Sequence, residues 1–256
     1  MNSIIAWVGG KRLMRKEIIK QIPEHQRYVE VFGGAGWVLF GKSKEKPDWT
    51  KESEYQEIYN DLNSDLVLFW KYVRQHPEAL HSELECQLVS RQLFNERKLG
   101  IFRTELEQAV SFYLQLCSSF GSNSENFCIR TSNKVFPLRN SEVIIKASER
   151  LKNVIIENMD YDSLIKKYDK VNSFFFCDPP YYNQEDFYAR NGLNNFNKHN
   201  ELFELLSGIK GKFLLTYNDH DYIRSLYKDF NVQTIETKYS FSGKQTEANN
   251  LIITNY

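Results

Sequence analysis

"YVEVFGGAG" occupies Tyr28–Gly36. A run of strand-forming residues is followed at once by Gly33, Gly34 and Gly36. The reading is a buried strand, Tyr28–Phe32, that ends in a turn tight enough for a ligand to approach the backbone. The same glycines would also suit a plain strand, turn and helix packed on themselves. The next apolar run, "EIYND" at Glu57–Asp61, reads as a second strand closing on an acid. An acid in that place commonly grips ribose hydroxyls. A dinucleotide dehydrogenase would carry a third glycine where Leu39 stands. An adenosine-bearing ligand without a pyrophosphate therefore fits Phe32, Gly33, Gly34, Gly36 and Asp61 better than a dinucleotide does.

Outward from this turn, strand and helix patterns alternate. Leu62–Arg74 has helical spacing in Leu62, Leu66, Phe69, Trp70 and Val73, with Asn63 or Ser64 as cap. Asn153–Glu157, Ser173–Cys177 and Lys212–Thr216 are further short apolar strands, and Leu202–Leu206 and Tyr222–Lys228 read as helices. The end of the chain, "VQTIETKYSF" and "NNLIITNY", has no helix between its strands and predicts an antiparallel pair. The pattern predicts an α/β fold with a mostly parallel sheet covered on both faces. Pro77–Glu149 breaks the alternation, being helical and then polar. It is read as an inserted helical subdomain, residues 77–149, within a domain made of residues 1–76 and 150–256.

"SFFFCDPPYY" at Ser173–Tyr182 is the second informative stretch. Its first half is a core strand. Its second half presents a carboxylate, two rigid imides and an aromatic ring at the strand's carboxyl end, where parallel sheets bind ligands. Pro179 and Pro180 stiffen the turn and lack N–H groups. The Asp178 carboxylate and the Pro179 carbonyl can both accept from one amino group, and Tyr181 offers a face for stacking. Methyl transfer to an exocyclic ring amine needs these parts. Two acceptors on the N–H bonds favour a pyramidal nitrogen, and the carboxylate stabilises the positive charge that develops. Stacking holds the ring in line. A rigid turn closing a strand is the bland alternative.

Lys and Arg together number 33, as do Asp and Glu, so net charge neither favours nor excludes nucleic acid. Any such footprint must be local. The 18 Phe and 15 Tyr are unusually many; some serve the core, and aromatic faces also stack on bases. The N-terminal charges follow the apolar patch "SIIAWV", so no secretory signal is expected, and no apolar run reaches membrane-span length. Cys86, Cys117, Cys128 and Cys177 have no C-x-x-C spacing. No metal site is expected, and four reduced thiols suit the cytoplasm.

Taken together, "AWVGGKR" (Ala6–Arg12), "EVFGGAG" (Glu30–Gly36), "YNDLNSDL" (Tyr59–Leu66), "DPPY" (Asp178–Tyr181), "FLLTYND" (Phe213–Asp219) and "NNLIITNY" resemble the Dam-like DNA adenine-N6 methyltransferases, over nearly the whole chain and in the alpha motif order. The resemblance implies a Rossmann-like methyltransferase fold, S-adenosylmethionine as methyl donor, and cofactor contacts from Trp7, Lys11, Asp61, Asp160 and Asp178. It implies double-stranded DNA as partner, in restriction-modification, phage or epigenetic methylation, with a cognate restriction endonuclease as a candidate companion and no obligate protein partner. Target recognition would fall to the insertion, where "LQLCSSFGSNSENFCIR" resembles the family's recognition helix and loop. "RTSNKVFPLRN" is shorter than the usual hairpin and lacks its "NVPFG"-like core. Arg130, Lys134 and Arg139 are candidates for DNA phosphates, with Lys11, Arg12, Arg15 and Lys16 expected nearby. An RNA adenine or cytosine-N4 enzyme, or a nucleic-acid-binding relative without catalysis, are the alternatives. The target adenine is expected to leave the duplex and stack on Tyr181.

Overall fold

The computed structural model describes residues 1–7, 9–43, 47–119, 124–128, 140–183, 198–241 and 244–256. Their strands are β1 (Arg27–Glu30), β2 (Gln56–Asn60), β3 (Val154–Glu157), β4 (Ser173–Cys177), β5 (Lys212–Asn218), β6 (Asn231–Phe241) and β7 (Lys244–Thr254). They form one sheet in the order β3-β2-β1-β4-β5-β7-β6. The first five are parallel, and β7 pairs antiparallel with both β5 and β6. The expected α/β class and antiparallel end are both present.

β4 shows why this sequence takes the centre. All five residues of "SFFFC" are buried. Alternation sends Phe174 and Phe176 into the core on one face and Phe175 and Cys177 into the core on the other. Only a strand covered on both sides can place such a run, and burying each Phe side chain contributes about 1.5–3 kcal/mol relative to exposure.

Helix Ser64–Gln75 follows β2 and buries Leu66, Phe69, Trp70 and Val73 at helical spacing. Asn63 is its cap, its side-chain oxygen accepting from the Leu66 N–H at 3.0 Å. Leu62, expected inside this helix, stays in the preceding turn and is 52% exposed. The cap explains it: a helix whose first orphan donor is satisfied by Asn63 starts after Asn63.

The helices Pro77–Cys86, Glu105–Cys117 and Ser141–Leu151 pack on or beside Ser64–Gln75. Leu80, Leu84, Tyr113, Leu114 and Ile144 join the same core cluster as Phe69 and Trp70. The expected segment boundary at 149/150 falls within the helix Ser141–Leu151. Among the described residues, no helix is long and apolar enough to cross a membrane.

Candidate active site

The connection after β1 runs to β2 on one side, while β4 adjoins β1 on the other. The carboxyl ends of β1 and β4 therefore meet where the strand order reverses, the place where open α/β sheets hold ligands. A cleft of about 200 Å³ opens there.

One wall is the glycine turn. A side chain at Gly33 would place its Cβ 2.3 Å from the Tyr59 ring and 2.7 Å from the Asn60 carbonyl, so only glycine fits. The Gly34 N–H donates to Asp61 Oδ2 at 2.8 Å, and the Tyr59 hydroxyl donates to the Gly34 carbonyl at 2.6 Å. Asp61 also accepts from the Asn63 N–H through Oδ1 at 2.9 Å. Burial pushes the Asp61 carboxyl above its ordinary range, against the pull of these backbone donors. Asp61 lines the cleft and keeps further lone pairs as acceptors.

A second wall comes from Met159, Asp160 and Tyr161 at the end of β3. Asn60 fastens it. Its amide donates to the carbonyls of Val31 and Met159, and its oxygen accepts from the Met159 N–H at 2.9 Å. Asp160 caps the helix Tyr161–Tyr168 by accepting from the Asp162 N–H at 3.1 Å. Phe32 lies against Tyr161, ring centroids 5.7 Å apart.

The floor carries the charges. Asp178 projects from the end of β4 with its side chain 15% exposed. Lys11 Nζ sits 2.6 Å from Asp178 Oδ1, donates to the Gly9 carbonyl at 2.8 Å, and lies 4.7 Å from the centroid of the Tyr181 ring. The Thr216 hydroxyl donates to the same Oδ1 at 2.7 Å. Burial raises the Asp178 carboxyl, and Lys11 and Thr216 oppose the rise. Glu30, at the end of β1, is buried and pushed up to about 8 by desolvation, although the Tyr28 hydroxyl and the Leu39 N–H both donate to its Oε2.

Trp7, Lys11, Phe32, Gly33, Gly34, Asp61, Asp160, Asp178 and Pro180 all line the cleft. Gly36, Pro179 and Tyr181 are not among its lining residues. Gly36 is set back as the N-cap of the helix Trp37–Gly41, with φ of 65°. Pro179 is buried behind the turn. Tyr181 is buried against Tyr217, ring centroids 6.1 Å apart. Arg130, Lys134 and Arg139 lie outside the described residues. Glu30, Asn60, Trp37, Met159, Tyr161 and Lys198 also line the cleft and were not singled out as site residues from the sequence.

Against known proteins, the model of the D12 class N6 adenine-specific DNA methyltransferase family matches residues 7–241. The chain belongs to this family. It is an adenine-specific DNA methyltransferase, an enzyme whose class requires a methyl donor. A DNA N-6-adenine-methyltransferase of Escherichia phage P1 is 26% identical over 273 residues, covering 95% of this chain and 33% of the phage protein. The chain thus spans about a third of that relative's length. The Retron Ec67 DNA adenine methylase of Escherichia coli is 25% identical, with 98% of this chain and 90% of the relative covered. The Type II methyltransferase M1.LlaDCHI of Lactococcus lactis subsp. cremoris is 27% identical, with 98% and 94% covered. The methyltransferase therefore shares most of its length with both a retron and a restriction-modification relative.

Proposed function

We propose that the cleft binds S-adenosylmethionine and that Asp178 serves methyl transfer to the N6 amine of an adenine taken out of double-stranded DNA. The observation that carries this reading is the part-buried Asp178 carboxylate at the β1/β4 switch point, facing the same cleft as the glycine turn and Asp61.

The residues present suit the cofactor. Asp61, Asp160 and Asp178 outnumber Lys11 and Lys198 around the cleft, even with Glu30 left out as protonated, an arrangement favourable to a sulfonium cation and poor for a pyrophosphate. Asp61 would hold the ribose, and Phe32, Met159 and Tyr161 would line the adenine's apolar faces. Trp7, Lys11, Gly33, Gly34 and Asp160 complete the proposed contacts, while Gly36 shapes the turn from behind. Bound there, S-adenosylmethionine supplies the electrophilic methyl group.

Asp178 then has two tasks. It accepts a hydrogen bond from the N6 amine, which localises the nitrogen lone pair. It also stabilises the cationic nitrogen that forms as the new N–CH3 bond replaces the sulfonium's S–CH3 bond, a neutral thioether leaving and one N–H proton then passing to solvent. The Lys11 ammonium, 2.6 Å from Oδ1, is already a cationic nitrogen held by this carboxylate. Among the described residues, both side-chain contacts of Asp178 fall on Oδ1, leaving Oδ2 to meet the amine. An adenine stacking on the Tyr181 face that Lys11 covers requires the ammonium to withdraw. The carbonyl of Pro179 would be the second acceptor, with Pro180 keeping the turn rigid.

Residues 77–149 are proposed to carry target recognition, with Arg130, Lys134 and Arg139 on DNA phosphates. The family's description supports DNA over RNA and adenine over cytosine-N4. A cytoplasmic place, and a companion endonuclease such as Type II systems carry, complete the proposal.

The test is transfer of labelled methyl from S-adenosylmethionine to duplex DNA, with the product digested to nucleosides. Wild type is expected to yield N6-methyladenine, and base-modification sequencing of DNA from expressing cells gives the motif. Asp178→Ala is expected to slow transfer 10²–10³-fold or more, about 3–4 kcal/mol in the barrier. Its folding transition should remain cooperative. A variant that turns over at the wild-type rate would remove Asp178 from the chemistry.

A further inference from the structure

β5 runs parallel to β4, with Cys177 opposite Leu215. The next residues of β5 therefore pass alongside Asp178–Tyr182. Alternation puts Thr216 and Asn218 on one face of β5, and both side chains reach this loop. The Thr216 hydroxyl donates to Asp178 Oδ1 at 2.7 Å, at the loop's first residue. The Asn218 amide donates to the Tyr182 carbonyl at 3.1 Å, at its last. Between these points Pro179 and Pro180 have no N–H with which the loop could hold itself. The Tyr182 ring is also stacked on Tyr222, centroids 4.6 Å apart.

We propose that Thr216 and Asn218 are positioning residues for methyl transfer, a two-point clamp from β5 that fixes which oxygen of Asp178 faces the amine and where the loop's far end lies. The inference rests on the reading of Asp178 given above.

The physical case begins with the carboxylate. Its two oxygens are equivalent until something breaks the symmetry. Lys11 grips Oδ1 from a long, flexible stem. Thr216 grips the same oxygen from a β-branched side chain on a central strand, with stiff χ1 and no exposure. Among the described residues, the ionisable groups that act on Asp178 are Lys11 from the N-terminal segment, Glu30 from β1 and Cys177 on its own strand, with the Tyr181 ring beneath the Lys11 ammonium. Thr216 is the neutral partner. Removing its hydroxyl changes the acidity and orientation of Asp178 without changing the charge of the site. Because the hydroxyl donates to the charged form, its loss makes Asp178 easier to protonate.

Methyl transfer is measured in single turnover at saturating cofactor and DNA, across pH, for wild type, Thr216→Val, Thr216→Ser and Asn218→Ala. Thr216→Val is expected to lose about tenfold in rate, with the affinity for S-adenosylmethionine unchanged and the acid limb of the profile moved to higher pH. Thr216→Ser is expected to restore both rate and profile. Asn218→Ala is expected to lose rate without moving the acid limb. The clamp is overturned if Thr216→Val keeps the wild-type rate and profile, or if Thr216→Ser is as impaired as Thr216→Val. Should Thr216→Val fail to fold, Asn218→Ala decides, and a wild-type rate there overturns the clamp. Wild type separates the two levels. If it does not methylate adenine, the reading of the cleft fails. If it does and the variants match it, only the clamp fails.

Discussion

Strand β2 carries one buried carboxylate near its start, Glu57, and leads directly into another, Asp61. The two have opposite fates. Glu57 accepts from both terminal nitrogens of Arg150, at 2.7 and 2.8 Å, and from Lys42 at 2.5 Å. Burial alone would raise its pKa, yet these cations hold it below the ordinary carboxylate range. Among the described residues, Asp61 receives only backbone N–H groups, and burial leaves it raised. Asp178 and Glu30, across the cleft, are raised as well. A buried carboxylate between two cations is finished as a structural element. A buried carboxylate with neutral donors, or with one displaceable ammonium, keeps capacity for a ligand. The same residue type thus serves architecture at the amino end of the sheet and, in the function proposed above, chemistry at its carboxyl end.

The sharpest way to break this comparison is at Glu57. Glu57→Ala would leave Lys42 and Arg150 buried without their carboxylate and is expected to cost about 3–5 kcal/mol of stability. Urea unfolding measures it. A loss under about 1 kcal/mol would show that the cluster behaves like an exposed ion pair.

Glu30 tests the other side. Its folded-state pKa of about 8 lies above its ordinary value of 4.5. Between those values the folded protein keeps a proton that the unfolded chain releases. The stabilisation is complete below about pH 4.5 and is lost as pH rises toward about 8. Glu30→Gln removes this dependence. The stability of wild type relative to Glu30→Gln should fall by on the order of 3 kcal/mol between about pH 5 and about pH 8. Parallel unfolding curves with a constant offset would mean that Glu30 is ionised throughout.

Asp61 gives the smallest effect and sharpens the distinction most directly. Asp61→Ala is expected to weaken S-adenosylmethionine binding by about 1.5–3 kcal/mol, seen by calorimetry, while slowing transfer less at saturation. Its effect on unfolding should be smaller than that of Glu57→Ala. An unchanged dissociation constant would reduce Asp61 to a fastener of the Gly34 turn.

What the sequence determined is local. "SFFFC" could only be a doubly covered strand, and β4 has the bounds Ser173–Cys177 that its residues predict. Asn63 marks a helix start because a cap acts within three residues. The glycine turn, the acid ending β2 and the Asp-Pro-Pro-Tyr loop are legible for the same reason: each is a short-range backbone or side-chain requirement written in consecutive letters. Tertiary structure decided which of these letters meet. Nothing around Lys11 foretells that its ammonium would lie on Asp178. Nothing in "KFLLTYN" says that Thr216 would donate to that same carboxylate. Glu30 reads as one polar residue in a strand until the sheet closes over it. Strand order and register are set by the packing of the whole chain, and contacts between distant segments follow from them. The family resemblance could place Lys11 and Asp178 in the cleft, but only the folded sheet brings the ammonium and the carboxylate to 2.6 Å.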